Sequence, residues 1–173
     1  MKPSPLQLEW LIYPAASFRA RETAKPDCLQ TVKVTAEVAY HLDRPHRVEL
    51  ILSSDDSAQD AAYTFAIEAV AAFRFDLSLA QAAYRNIQPQ ALPRVIAVNV
   101  ARIVYSAARE LLATFTARAP HGSVLVESVL IGPEDVKIVS VESQEKMLHE
   151  LFGVELSEAT EKKAAPRPKV KSN

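Results

Sequence analysis

The chain has 173 residues, of which 49% are apolar, three are glycine and one is cysteine, and its formal net charge is -1. That length fits one globular core with appendages, and near-neutrality gives no electrostatic case for nucleic acid or an anionic membrane. The lone Cys28 excludes an intramolecular disulfide framework and fits a reducing compartment.

The N-terminal stretch is interrupted by Pro3, Pro5, Gln7 and Glu9, so it lacks the apolar region of a secretory signal. No apolar run reaches the roughly 18–20 residues of a membrane span. The expectation is a soluble, cytoplasmic protein that does not insert into a membrane.

Four segments alternate at period two. Leu6, Leu8, Trp10 and Ile12 are expected on one face of the first, with Gln7 and Glu9 on the other. In the second, Val32, Val34, Ala36, Val38, Tyr40 and Leu42 oppose Thr31, Lys33, Thr35, Glu37 and His41. A turn at Asp43-Arg44-Pro45 leads to the third, where Val48, Leu50 and Leu52 oppose Arg47, Glu49 and Ser53. After the polar turn Ser53-Ser54-Asp55-Asp56-Ser57, the fourth places Tyr63, Phe65, Ile67, Ala69, Ala71, Phe73 and Phe75 against Thr64, Glu68 and Arg74. Its alanines also suit a helix; the aromatics at every second position of both ends favour strand.

From Leu77 the period becomes helical. A short helix is expected over Leu77 to Ile87, ending at the approach to Pro89. Pro93 suits the first turn of a long helix running to about Arg118, with Ala119-Pro120-His121-Gly122 as its stop. Val124 to Ile131 reads as a short apolar extended piece closed by Gly132-Pro133. Ser143 opens a last helix with Met147, Leu148, Leu151 and Phe152 on one face and Gly153 as its C-terminal stop. Strands first and helices last give an α+β class: an antiparallel four-stranded sheet followed by a long helix and a shorter C-terminal helix. Residues 1–155 form the expected domain; 156–173, rich in Glu, Lys, Pro and Ala without periodicity, form a disordered charged tail.

The long helix is apolar over more than one face. Val100, Val104, Ala107, Leu111 and Phe115 form one stripe, and Val98, Tyr105, Ala108 and Leu112 a second, with Arg102, Ser106, Arg109 and Glu110 in a narrow polar line. One stripe covers the sheet. The first stripe is the expected oligomer interface, because monomers rarely leave an apolar patch of that size uncovered.

Residues that could carry chemistry are scattered. His41, His46, His121 and His149 fall in separate segments with no i, i+4 pair and no cysteine partner, so no metal site is expected. Asp55, Asp56 and Asp60 lack the glycine and terminal glutamate of a calcium loop. Cys28 has no basic or histidine neighbour to lower its pKa. Neither a glycine-rich phosphate loop nor a nucleophile elbow is present. Arg109-Glu110 reads as a structural pairing, and the basic run from Lys162 to Lys171 as a solubilising end. The expectation is a binding protein without cofactor, not an enzyme.

Ile103-Val104-Tyr105-Ser106-Ala107-Ala108-Arg109-Glu110 resembles the helix signature of the SecB protein-export chaperone family, commonly written ILFPYARE. Arg118, Pro120 and the run Val124 to Ile131 are similar to the segment that follows it. Leu6 to Tyr13 with Ser17-Phe18 resembles the family's first strand, and Tyr63 to Ala69, closing at Phe75, its last. The resemblance spans about residues 6–131 in order. It implies a homotetramer, a dimer of dimers, acting as an ATP-independent holdase that binds unfolded or nascent preproteins and passes them to the SecA ATPase. Phe73, Phe75, Leu77, Val98 and Leu112 are the implied client-binding groove, each equally readable as core. The family's acidic first-strand positions align with Ala16 and Arg19, whereas Glu68 keeps the acidic position of the last strand and is the implied partner-docking residue. A SecB-like chaperone dedicated to a single client, such as an antitoxin, and independent of SecA is the alternative.

Overall fold

The computed structural model describes residues 4–22, 30–55, 61–124, 126, 129–140 and 143–154. Cys28, Asp56, Asp60 and the tail from 156 onward lie outside them. The alternating segments form β1 (Leu6–Ala20), β2 (Val32–Tyr40), β3 (His46–Ser54) and β4 (Tyr63–Phe75). Helix α1 (Leu77–Ala83), a 3-10 turn (Pro89–Ala91) and the long helix α2 (Leu92–Thr116) follow. A second 3-10 turn (Pro133–Asp135), strand β5 (Val136–Ser140) and helix α3 (Gln144–Phe152) complete the order.

The sheet order is β1-β4-β3-β2-β5. Neighbours among the first four strands are antiparallel, as the sequence implies, and β5 adds to the far side of β2 in parallel. The sheet is therefore five-stranded and mixed instead of four-stranded and antiparallel. Val136-Lys137-Ile138-Val139 is rich in β-branched residues and suits a strand. A parallel neighbour needs a long crossover, and α2 lies within the one that separates β2 from β5.

One face of the sheet carries the core. Val48, Leu50 and Leu52 of β3 and Tyr63, Phe65, Ile67 and Phe73 of β4 are buried there. Helix α2 meets them with Ile96, Val100, Val104, Ala108, Leu112 and Thr116, a complete i+4 row whose members are all buried. Ala69 and Ala71 on the sheet and Ala97 and Ala101 on the helix are also buried, and small residues on both sides let the two layers approach closely. Tyr40 anchors the start of the helix by donating its hydroxyl to the Pro93 carbonyl at 2.6 Å. Arginines tie the returning chain to α2: Arg102 donates twice to the Ile131 carbonyl (3.0 and 2.7 Å) and Arg109 to that of Val126 (2.8 Å). Of the expected extended piece after Val124, Val126 and Ile131 are thus held to the helix by their carbonyls, while residues 125, 127 and 128 lie outside the described ones.

Strand β1 departs from simple alternation. Leu6 and Leu8 pair with Phe75 and Phe73, but the register then shifts, and Trp10 and Ile12 pair with Ala72 and Val70. Facing residues of an antiparallel pair lie on the same side of the sheet. The bulge at Glu9 therefore turns Trp10 and Ile12 to the face away from α2, opposite to Leu6 and Leu8 and contrary to the period-two expectation. A second shift between Ile12 and Ala15 accommodates Pro14, which has no N–H to give a ladder and is tolerated on an edge strand.

Helix α3 is capped as expected. The Ser143 hydroxyl accepts from the Lys146 amide, and Gly153 stops the helix in the left-handed region at φ +63°. Phe152 fixes it to the body, stacked on Phe75 (5.2 Å between ring centres) and edge-on to Tyr40 (5.4 Å).

Candidate functional site

The feature that asks for a partner is β1. It is a 15-residue edge strand paired only with β4 among the described residues. It exposes Leu8 (36%), Trp10 (45%), Ile12 (52%) and Phe18 (44%). A long edge with unpaired backbone groups and apolar side chains is a ready template for another extended chain. On the outer face Trp10 and Ile12 cover Ala72 and Val70, which are buried although they point away from the core. Exposed Ile51 of β3 extends this patch across the sheet.

The charges on that outer face are mostly matched. Arg47 pairs with Glu49 at 2.9 Å and Lys137 with Glu37 at 3.0 Å, all four partly exposed. Glu68 is exposed beside Ile51 and Ala15, where its place on the polar side of the strand put it. Arg19 sits on the same face, opposite Thr64.

The outward side of α2 forms a second apolar surface. Ile103 (42%) and Phe115 (43%) are exposed, Ala107 and Leu111 half-buried, and the four share one i+4 row. Phe115 stacks on Phe18 of β1 at 5.7 Å, which joins this row to the edge strand. Burial and the nearby Glu110 carboxylate hold the Tyr13 phenol above its ordinary pKa, placing the middle of β1 beside the helix. Of the residues read as an oligomer interface, Ala107, Leu111 and Phe115 lie on this surface. Val100 and Val104 are fully buried against the chain's own sheet, because a shift of one position along a helix turns a residue by about 100°.

The residues read as a groove do not form one. Phe73, Val98 and Leu112 are buried in the core, and Val98 and Leu112 are about 21 Å apart along α2 at 1.5 Å per residue. Phe75 and Leu77 are half-buried. Phe75 joins a cavity: with Leu151 it lines a cleft of about 270 Å³ beside α3. A second cleft of about 490 Å³ lies on the other side of α3, lined by Pro93, Arg94, Ile138, Ser140, Met147 and Leu148. Arg94 is already committed there to the Pro133 and Val136 carbonyls at 2.9 and 2.5 Å.

Trp10, Ile12, Phe18 and Ile103 are the surface residues that sequence reasoning did not single out. Trp10 and Ile12 were hidden by the bulge, which carries no hydrophobic signal of its own. Ile103 continues the row Ala107-Leu111-Phe115, so spacing alone could have found it. Among the described residues no three of His, Cys, Asp and Glu come together, and no helix is long and apolar enough to cross a membrane.

No protein-family model and no curated protein matches the chain. Among solved structures the chain is similar to the Mycobacterium tuberculosis Rv1957 SecB-like chaperone, determined in complex with a ChAD peptide from the Rv1956 HigA1 antitoxin. The TM-score is 0.45 and the sequence identity 16%, over 74% of this chain and 93% of that one.

Proposed function

We propose that this protein is an ATP-independent chaperone that captures an extended or unfolded polypeptide and serves a narrow set of clients. The observation that carries the reading is β1, an open 15-residue edge with Leu8, Trp10, Ile12 and Phe18 exposed. Strand addition supplies affinity through the backbone, and the exposed apolar side chains, Leu8 and Phe18 on one face and Trp10 and Ile12 on the other, supply weak selectivity. Burying the remaining surface of several such side chains is worth roughly 1 kcal/mol apiece. That sum is compatible with micromolar binding, near 8 kcal/mol, only when backbone pairing contributes too. The residues that resemble the SecB family point the same way. The outward row of α2 and Phe18 are proposed to join copies of the chain into the tetramer, which would multiply the number of edges offered to one client.

Charge favours the narrow-client reading over delivery to SecA. A docking face for a cationic element should be acidic, yet Glu37 and Glu49 are matched by Lys137 and Arg47, and Arg19 adds a cation to the same face. The export reading rests on Glu68, which is exposed on the outer face. Aggregation assays with several unfolded proteins, beside capture of binding partners from cytosol identified by mass spectrometry, separate the two; an antitoxin peptide is a sensible first client. One or two retained partners with little general protection support the proposal. Broad protection together with SecA binding that Glu68→Lys abolishes supports export. No effect on any client overturns both.

A further inference from the structure

The turn between β2 and β3, residues 41–45, separates two clefts that share His41, Arg44 and His46. The first, about 270 Å³, adds Asp43, Arg74 and the apolar wall of Phe75 and Leu151. The second, about 370 Å³, adds Arg47, Glu49 and Trp10. Three guanidinium groups thus converge on this corner against Asp43 and Glu49. Arg47 is paired with Glu49 and Arg74 with Glu9, but these pairs are largely exposed, and such pairs are held by no more than about 1 kcal/mol. Arg44 is exposed and makes no ion pair or hydrogen bond among the described residues. The floor is rigid. His46 lies against Phe73 and stacks on Phe75 (5.2 and 5.1 Å), and its Nδ1 accepts from the His41 amide at 3.2 Å.

We infer that this corner binds a carboxylate of a client polypeptide, from an Asp or Glu side chain or the chain's C-terminus, flanked by an apolar residue. Arg44, without a partner among the described residues, meets the carboxylate, with Arg74 and Arg47 on either side; Phe75, Leu151 and Trp10 take the neighbouring side chain. Both histidines are held below their ordinary pKa by burial first, and then by neighbouring cations: Arg44 and Arg47 for His41, opposed by Asp43, and His41 and Arg74 for His46. The apolar walls favour a polypeptide over a free small anion. A nucleic acid would need a longer cationic stripe than Arg44 with its carboxylate-paired neighbours Arg47 and Arg74 provides. Trp10 belongs both to the second cleft and to the exposed outer face of β1, so a client laid along β1 continues into this corner. The inference deepens the polypeptide-capture reading and rests on it.

Trp10 is the chain's single tryptophan, so its fluorescence reports the second cleft directly. The test titrates the full chain with two unstructured apolar peptides that differ only in carrying Asp and Glu or Asn and Gln, the amide form with an amidated C-terminus. A charge-assisted hydrogen bond is about twice as strong as a neutral one, so the acidic peptide should bind about tenfold more tightly. Arg44→Gln should erase that preference without changing affinity for the amide peptide, and Arg44→Lys should restore part of it; circular dichroism checks that both variants fold. Equal affinity of wild type for both peptides overturns the carboxylate site and leaves polypeptide capture standing. Binding of neither peptide overturns both. If acetate or inorganic phosphate alone at millimolar concentration gives the acidic peptide's full response, the polypeptide assignment fails and a small-anion site replaces it.

Discussion

Acid should destabilise this protein through His46. The ring packs against Tyr40, Phe73 and Phe75 at 5.1–5.3 Å, and its Nδ1 must stay unprotonated to accept from the His41 amide. Burial, followed by the charges of His41 and Arg74, pushes its pKa down from 6.5 to about 4. The folded state therefore takes up the proton less readily than the unfolded chain. The stabilising contribution is complete above about pH 6.5 and is lost as the pH falls toward 4. At about 1.36 kcal/mol for each unit of pKa difference, the whole displacement corresponds to roughly 3 kcal/mol; the part of the ring near solvent reduces this to about 2 kcal/mol. Urea unfolding at pH 7.5 and 4.5 measures it, with His46→Phe as the reference that keeps a stacked ring and has nothing to protonate. Because pH 4.5 is still above the folded-state pKa, wild type should lose about 1.5 kcal/mol more than the variant between the two pH values. The lost acceptor for the His41 amide offsets the variant equally at both. Identical losses would show that His46 does not couple folding to protonation.

Further outcomes follow from the packing and the composition. Ile103→Glu combined with Phe115→Glu should leave the chain folded and lower its light-scattering mass from about four chains, whereas Leu112→Ala, inside the core, should cost about 3 kcal/mol in urea. Gly153→Ala forces a side chain into the left-handed region at φ +63° and should cost about 1 kcal/mol, with faster amide exchange in α3. Removing residues 156–173 should leave the thermal midpoint within about 2 °C, since their composition cannot offset the entropy of ordering, and 1 kcal/mol shifts a domain of this size by about 2–4 °C.

Most of the fold is legible where one physical rule governs a segment. The alternation in β2, β3 and β4 is enforced by a single buried face, and the capping residues Ser143 and Gly153 act locally, so both appear in sequence as they do in structure. Strand β5 escaped because it is short and pairs in parallel with a distant strand, a contact set by the crossover and not by its own pattern. The site was harder to read. Trp10 and Ile12 look identical to core residues until the Glu9 bulge reverses their face. On α2 the chain has apolar residues on adjacent rows, and composition cannot say which row meets the sheet: Val100 and Val104 do, Ile103 and Phe115 do not. Arg44 in the turn and His46 at the start of β3 are two residues apart, and only the converging strands bring Arg74, Phe75 and Trp10 to them.

The most direct measurement is residue-resolved amide hydrogen exchange of the full chain with and without a saturating unfolded client. If β1 is the capture edge, exchange across Leu6–Ala20 should slow by tenfold or more on binding, while β5, at the opposite edge, should not change. A client that binds tightly yet leaves β1 exchange unaltered would contradict the account.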